Sequence, residues 1–85
     1  MEKLLQISII TPEKEVYSNS GKSIKLPGSL SPFEVLYNHA PIVSSLDKGD
    51  IKIVNQNGEE EVFATGKGMV EINNNVVSII VESID

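Results

Sequence analysis

The chain has 85 residues with 12 acidic and 7 basic side chains, a net charge of -5, and no cysteine. That length makes one small domain, residues 1–85, burying only roughly 60–65% of its unfolded surface. The acidic balance and scattered lysines exclude a nucleic-acid surface, and the absence of cysteine excludes disulfides and thiolate metal sites.

No apolar stretch approaches the ~20 residues of a membrane helix. The opening Met1-Glu2-Lys3-Leu4-Leu5 is too short and too charged for a signal peptide, so no direct bilayer insertion is expected. Along the chain a two-residue period dominates. Leu5, Ile7 and Ile9 alternate with Gln6, Ser8 and Ile10, predicting a strand that Thr11-Pro12 ends. Val16 and Tyr17 predict a short second piece, stopped by Ser18-Asn19-Ser20-Gly21. Ile24 and Leu26 then face one way and Ser23 and Lys25 the other, up to a turn at Pro27-Gly28.

Phe33, Val35 and Tyr37 alternate with Glu34, Leu36 and Asn38; this is also the best helix candidate, and it is too short to stand alone. Ile51 and Ile53 precede Asn55-Gln56-Asn57-Gly58, where Asn-Gly predicts the two positive-φ residues of a type I′ hairpin turn before Glu61-Val62-Phe63-Ala64. Val70 and Ile72 lead through Asn73-Asn74-Asn75 into Val76-Val77-Ser78-Ile79-Ile80-Val81, a second hairpin. The last run is apolar on both faces, which predicts a strand covered on both sides. Turn signals every eight to twelve residues or so predict an all-β fold, a small antiparallel β-sandwich of roughly eight to ten short strands.

Groups for catalysis are sparse. His39 is the single histidine, so no histidine metal cluster forms, and no metal or cofactor site is expected. Ser44, Ser45 and Asp47 lie near it in sequence, yet no Gly-x-Ser-x-Gly is present and residues so close along a strand cannot all converge. Glu59-Glu60-Glu61 reads as a solvated strand start, since a Ca²⁺ site needs a shaped loop of several oxygens. Gly66-Lys67-Gly68 lacks the spacing and following helix of a phosphate cradle and reads as a turn. His39 stands before Ala40-Pro41, where proline forces extended backbone and interrupts a ladder. It either hydrogen-bonds backbone as a structural residue or faces a partner. The residues alone describe a small acidic interaction module.

The run Asn38-His39-Ala40-Pro41, followed by small and apolar residues and a Gly-containing turn into Ile51-Lys52-Ile53, resembles the central segment of the epsilon subunit of F-type ATP synthases, where Gly-His-Ala-Pro stands. Residues 5–18, 24–28, 33–41, 63–72 and 75–82 resemble that family's other strands in order and spacing. Glu34 replaces a usual Gly, and Tyr37-Asn38 replaces Pro-Gly. Asn tolerates positive φ, so Asn38 is expected to keep the turn.

The resemblance implies a non-catalytic central-stalk rotor subunit of an ion-driven ATP synthase, at the cytoplasmic face of a bacterial plasma membrane within a peripheral complex. Implied partners are the gamma subunit and the polar loops of the c-ring, and indirectly the alpha and beta subunits. The motif alignment places His39, Ala40, Pro41 and Ile42 toward gamma and Ser31, Pro32 and Glu34 toward the c-ring. Relatives continue into a helical hairpin that restrains ATP hydrolysis; with the last residue at Asp85, that behaviour is not expected here. A free-standing β-sandwich adaptor is the competing reading.

Overall fold

The computed structural model describes residues 3–85. Eight strands follow one another: β1 (Leu5–Ile10), β2 (Glu15–Leu26), β3 (Phe33–Leu36), β4 (Ile42–Leu46), β5 (Gly49–Asn55), β6 (Glu60–Thr65), β7 (Gly68–Asn73) and β8 (Val76–Val81). The expected sandwich of short strands is what forms. All pairings but one are antiparallel; β1 and β8 run parallel, in register from Gln6↔Val76 to Ile10↔Ile80.

The hydrogen-bonded order is β4-β7-β8-β1-β2-β5-β6, with β3 also on β2. One strand makes two layers of it. The first part of β2 pairs with β1, from Glu15 to Gly21, and its remainder pairs with β5 and β3, from Gly21 to Leu26. A bulge between Gly21 and Ser23 turns the corner, as strands that change layers commonly do. A Cβ at Gly21 would lie 2.9 Å from Ile7 Cδ1 and 3.1 Å from the Val54 carbonyl oxygen, so the corner accepts only glycine without displacement.

This overturns the expectation that Ser18-Asn19-Ser20-Gly21 ends a short strand. Those residues pair with Ser8, Ile7, Gln6 and Leu5. The polar run continues the ladder because its side chains lie mostly at the surface while its backbone bonds to β1. Residues 33–36 form strand β3, not a helix.

Fourteen aliphatic side chains fill the space between the layers, none more than 2% exposed. They come from every strand but β6, and the alternation expected of Leu5/Ile7/Ile9, Ile24/Leu26, Ile51/Ile53 and Val70/Ile72 points each pair or triplet inward. At about 1.5–3 kcal/mol per fully buried aliphatic side chain, this apolar core is the main stabilising term. Tyr17 leaves the expected pattern at the rim: its ring meets Phe63 edge-on at 5.3 Å.

The turns exchange their expected roles. Asn57-Gly58 is not type I′, because Gly58 is the residue with positive φ (83°). The loop has three residues, 56–58, closed by Gly58 N–H donating to the Asn55 carbonyl (2.9 Å). The Asn55 Oδ1 accepts from the N–H groups of Asn57 and Glu59. That is a type I turn followed by a left-handed glycine. The paired positive φ values lie instead at Asn74 (51°) and Asn75 (63°), between Asn73 and Val76.

β8 is covered on one face only. Val77, Ile79 and Val81 are buried, whereas Val76 and Ile80 are exposed. The expectation of cover on both sides fails because β8 lies inside one layer, with the second layer on its inner side alone.

Candidate functional site

The segment between β3 and β4 is held by backbone and carboxamide groups. Asn38 adopts φ 65°, as expected of a residue replacing glycine. Its N–H donates to Asn75 Oδ1 (2.6 Å), and Asn75 Nδ2 donates back to Asn38 Oδ1 (3.3 Å). The β3–β4 corner is thereby clamped to the β7–β8 turn. His39 N–H donates to the Leu36 carbonyl (3.1 Å), and its ring Nδ1 lies 2.7 Å from the Ala40 carbonyl oxygen.

His39 is half-buried, Ala40 and Pro41 are exposed, and Ile42 packs partly on the core. Asn38, His39, Ala40, Pro41, Asn74 and Asn75 line a hollow of about 240 Å³. His39 thus contacts backbone, as its structural reading expects, and also lines a surface hollow.

Ser31 and Pro32, in the loop before β3, and Glu34, within it, are exposed. The loop from Pro27 is tied to the end of β4: Asp47 N–H donates to the Pro27 carbonyl (2.8 Å) and Ser29 N–H to the Ser45 carbonyl (3.0 Å). The Ser29 hydroxyl donates to Asp47 Oδ1 at 3.1 Å. Gly28 permits the tight path, since a Cβ there would stand 2.5 Å from the Ser31 carbonyl oxygen. Glu34 stands opposite Lys25 across the β2–β3 ladder. His39, Ala40 and Pro41 lead into the start of β4 at Ile42, whereas the loop that precedes Ser31 is tied to the strand's other end at Ser45 and Asp47.

Sequence reasoning missed two surface features. Leu30, beside Ser31 at the loop tip, is fully exposed. The other is the outer face of β4-β7-β8-β1, where Ser45, Met69, Ile80 and Ile10 form a cross-strand row. Val43 is 64% exposed, Met69 53% and Ile80 56%; Val76, also exposed, lies further along β8 between Asn73 and Gln6. Met69 and Ile80 line a shallow hollow of about 280 Å³ with Pro12 and Gly68. The signal was present in sequence: outward apolar residues in β8 that the fold has no layer to cover.

Among the described residues no catalytic group hydrogen-bonds the His39 ring. Asp47 sits at the far end of β4, and the Ser44 hydroxyl donates to the Ser45 carbonyl. In residues 66–68, Gly66 N–H donates to the Ser83 carbonyl and Lys67 O accepts from Glu82 N–H, so these groups face the chain's own tail and not an anion. A Cβ on Gly68 would overlap the Ile80 carbonyl oxygen. Of the Glu59–Glu61 run, Glu59 and Glu60 are exposed, while Glu61 accepts from Tyr17 Oη (3.1 Å) and from Asn55 Nδ2 (3.3 Å). Burial, then this hydrogen bond and then the Glu61 charge hold the Tyr17 hydroxyl above its ordinary pKa of 10.0.

The sequence of ATP synthase epsilon chain from Helicobacter pylori (strain ATCC 700392 / 26695) is 39% identical over 79 residues, covering 93% of this chain and 63% of the relative. That from Protochlamydia amoebophila (strain UWE25) is 33% identical over 82 residues, covering 96% and 56%. The chain therefore spans roughly three-fifths of the length of these relatives. The fold is similar to a chain in the Euglena gracilis mitochondrial ATP synthase assembly of OSCP, F1 and c-ring, with a TM-score of 0.92 at 15% identity, covering 100% of this chain and 54% of that one. It is also similar to a chain in the central stalk and c-ring structure of the Tetrahymena thermophila mitochondrial ATP synthase, with a TM-score of 0.79 at 21% identity, covering 99% and 66%. The family model for the β-sandwich domain of the ATP synthase delta/epsilon chain matches residues 4–85, and with the order of strands and the bacterial relatives this chain belongs to that family.

Proposed function

We propose that this chain is a non-catalytic rotor component of the central stalk of an F-type ATP synthase, a single epsilon-type β-sandwich domain that couples the gamma subunit to the c-ring during ion-driven ATP synthesis. The observation that carries the reading is the unpartnered outer face of β4-β7-β8-β1. Val43, Met69, Val76 and Ile80 stand exposed there on strands whose backbones are fixed in a continuous ladder. Exposed apolar side chains held on a rigid ladder suit permanent association with another protein. A rotor part must also transmit torque without deforming, and hydrogen-bonded strands over a close-packed core resist such deformation.

In this reading gamma covers that face and its continuation at His39, Ala40, Pro41 and Ile42. The polar loops of the c-ring meet the opposite end at Ser31, Pro32 and Glu34, with Leu30 as a central apolar anchor. The alpha and beta subunits are reached through gamma. The location that follows is the cytoplasmic face of a bacterial plasma membrane, held by the complex. Mixing the chain with the alpha, beta and gamma assembly from the same organism, with calorimetric readout, tests this. A one-to-one complex that requires gamma supports it; no binding to an intact assembly sinks it and leaves an adaptor for another protein.

A further inference from the structure

An asparagine side chain can react with the chain that carries it. The backbone nitrogen of the next residue attacks the carboxamide carbon, hydroxide takes the nitrogen's proton, the carboxamide C–N bond breaks and ammonia leaves. Water then opens the five-membered imide at either carbonyl, giving aspartate or isoaspartate. In a folded chain three conditions favour the closure: a carboxamide not held by a hydrogen bond, a following residue without a Cβ to obstruct the approach, and a backbone that leaves its native dihedrals readily. The structure separates the asparagines on these conditions. Asn19 Oδ1 accepts from Ser20 N–H, and Asn19 is held in the β1–β2 ladder. Asn55 Oδ1 accepts from two backbone N–H groups, and Asn38 and Asn75 bond each other. Asn73 and Asn74 are each followed by another asparagine, with a Cβ in the way.

Asn57 meets all three conditions. It bonds Asn55 Oδ1 through its backbone N–H, not through its carboxamide. The residue after it is Gly58, and a Cβ built there would meet nothing within 4 Å, so the approach is open. Both residues are exposed at the tip of the β5–β6 hairpin. The restraint on the attacking nitrogen is the bond from Gly58 N–H to the Asn55 carbonyl (2.9 Å), and exposed loop tips break such bonds at small cost. We propose that Asn57 is a site of spontaneous modification, converting to isoaspartate and aspartate in the folded domain. Either product places a further negative charge beside Glu59, Glu60 and Glu61. Isoaspartate also adds a carbon to the main chain between Asn57 and Gly58, which shifts the Gly58 and Glu59 N–H groups from their acceptors on Asn55. The proposal is independent of the central-stalk reading.

The test incubates the folded chain and a urea-unfolded control in warm, mildly alkaline buffer and maps their peptides by fragmentation mass spectrometry after digestion at acid pH. The expected result is a mass gain of about 1 Da at Asn57, split into two chromatographic products. In the folded chain it should run at least about tenfold ahead of conversion at any other asparagine. In ¹⁸O-water the gain should rise by about 2 Da, because the new oxygen comes from solvent. Asn57→Gln, whose longer side chain would have to close a six-membered ring, should lose the product while keeping the parent's thermal midpoint. Conversion at Asn19 or Asn74 ahead of Asn57 overturns the proposal. So does an Asn57 that stays intact in the folded chain while the unfolded control converts.

Discussion

Replacing Asn75 tests the clamp between the β3–β4 corner and the β7–β8 turn, and two replacements divide its contribution. Asn75 takes part in two hydrogen bonds with Asn38 and holds φ 63°. Glycine removes the bonds and keeps the conformation; alanine removes both. The bonds lie at an exposed position, so ~0.5 kcal/mol each is the appropriate end of the range. The greater unfolded-state freedom of glycine adds about 0.5 kcal/mol, for a total near ~1.5 kcal/mol in Asn75→Gly. Alanine avoids that entropy but carries about 1–2 kcal/mol for the left-handed backbone, so Asn75→Ala should lose ~2.5 kcal/mol.

An 85-residue domain has a total stability of roughly 4–13 kcal/mol, and the two losses are resolvable. With a urea dependence of ~1 kcal/mol per M, the unfolding midpoint should fall by about 1.5 M for glycine and 2.5 M for alanine. Equilibrium urea unfolding followed by far-UV circular dichroism reads both. Alanine proving more stable than glycine would refute the conformational part of the reasoning. Both variants unfolding with the parent would refute the clamp.

Three further outcomes are expected. Gly68→Ala drives a Cβ into the Ile80 carbonyl oxygen and the Val81 backbone, so it should cost upwards of about 3 kcal/mol; a parent-like thermal midpoint would show that the β7–β8 ladder yields more than its geometry allows. Tyr17 favours its protonated form in the folded state, since its pKa is raised above 10.0 by burial first and then by Glu61. Its contribution is therefore complete below the unfolded value and lost as pH rises through the folded one. Thermal midpoints should decline more steeply above pH 10.0 in the parent than in Tyr17→Phe, and identical slopes would contradict this. Ile80→Glu, on the outer face, should change stability by no more than about 0.5 kcal/mol while lowering affinity for the gamma-containing assembly at least about 100-fold; unchanged affinity would remove that face from the interface.

The strands that carry the core were legible because their pattern is a local property. Leu5, Ile7 and Ile9 alternate whether or not their partners are known, and the same holds for Ile51 and Ile53. What depends on the partner was not legible. The polar residues 18–21 read as a turn, and they form strand because β1 supplies a ladder for them and Gly21 a corner between layers. Asn57-Gly58 and Asn74-Asn75 both tolerate positive φ, and loop length, not composition, assigned the two-residue turn to the second. The candidate site was legible in part. His39 was visible beside Pro41, but its ring bond to Ala40 and the embrace of Asn38 by Asn75, 37 positions away, depend on the tertiary fold. Leu30 and Ile80 were hidden in plain view, since exposure is a fact about the rest of the molecule.

The parallel pairing of β1 with β8 has a consequence for the nascent chain. Within this domain the strand made first has as one of its two neighbours the strand made last, and no hairpin shortcut joins them. Until residues 76–81 emerge, one edge of β1 is open and Ile7 and Ile9 lack the cover that Val77 and Ile79 complete. At about 5–20 residues per second that interval lasts roughly 3–15 s, long enough for a trigger chaperone or an aggregating neighbour to find the strand. Chains arrested before β8 should therefore be cut readily by protease, and chains released past it should resist. Equal resistance in the two would mean that the sheet closes without its final strand.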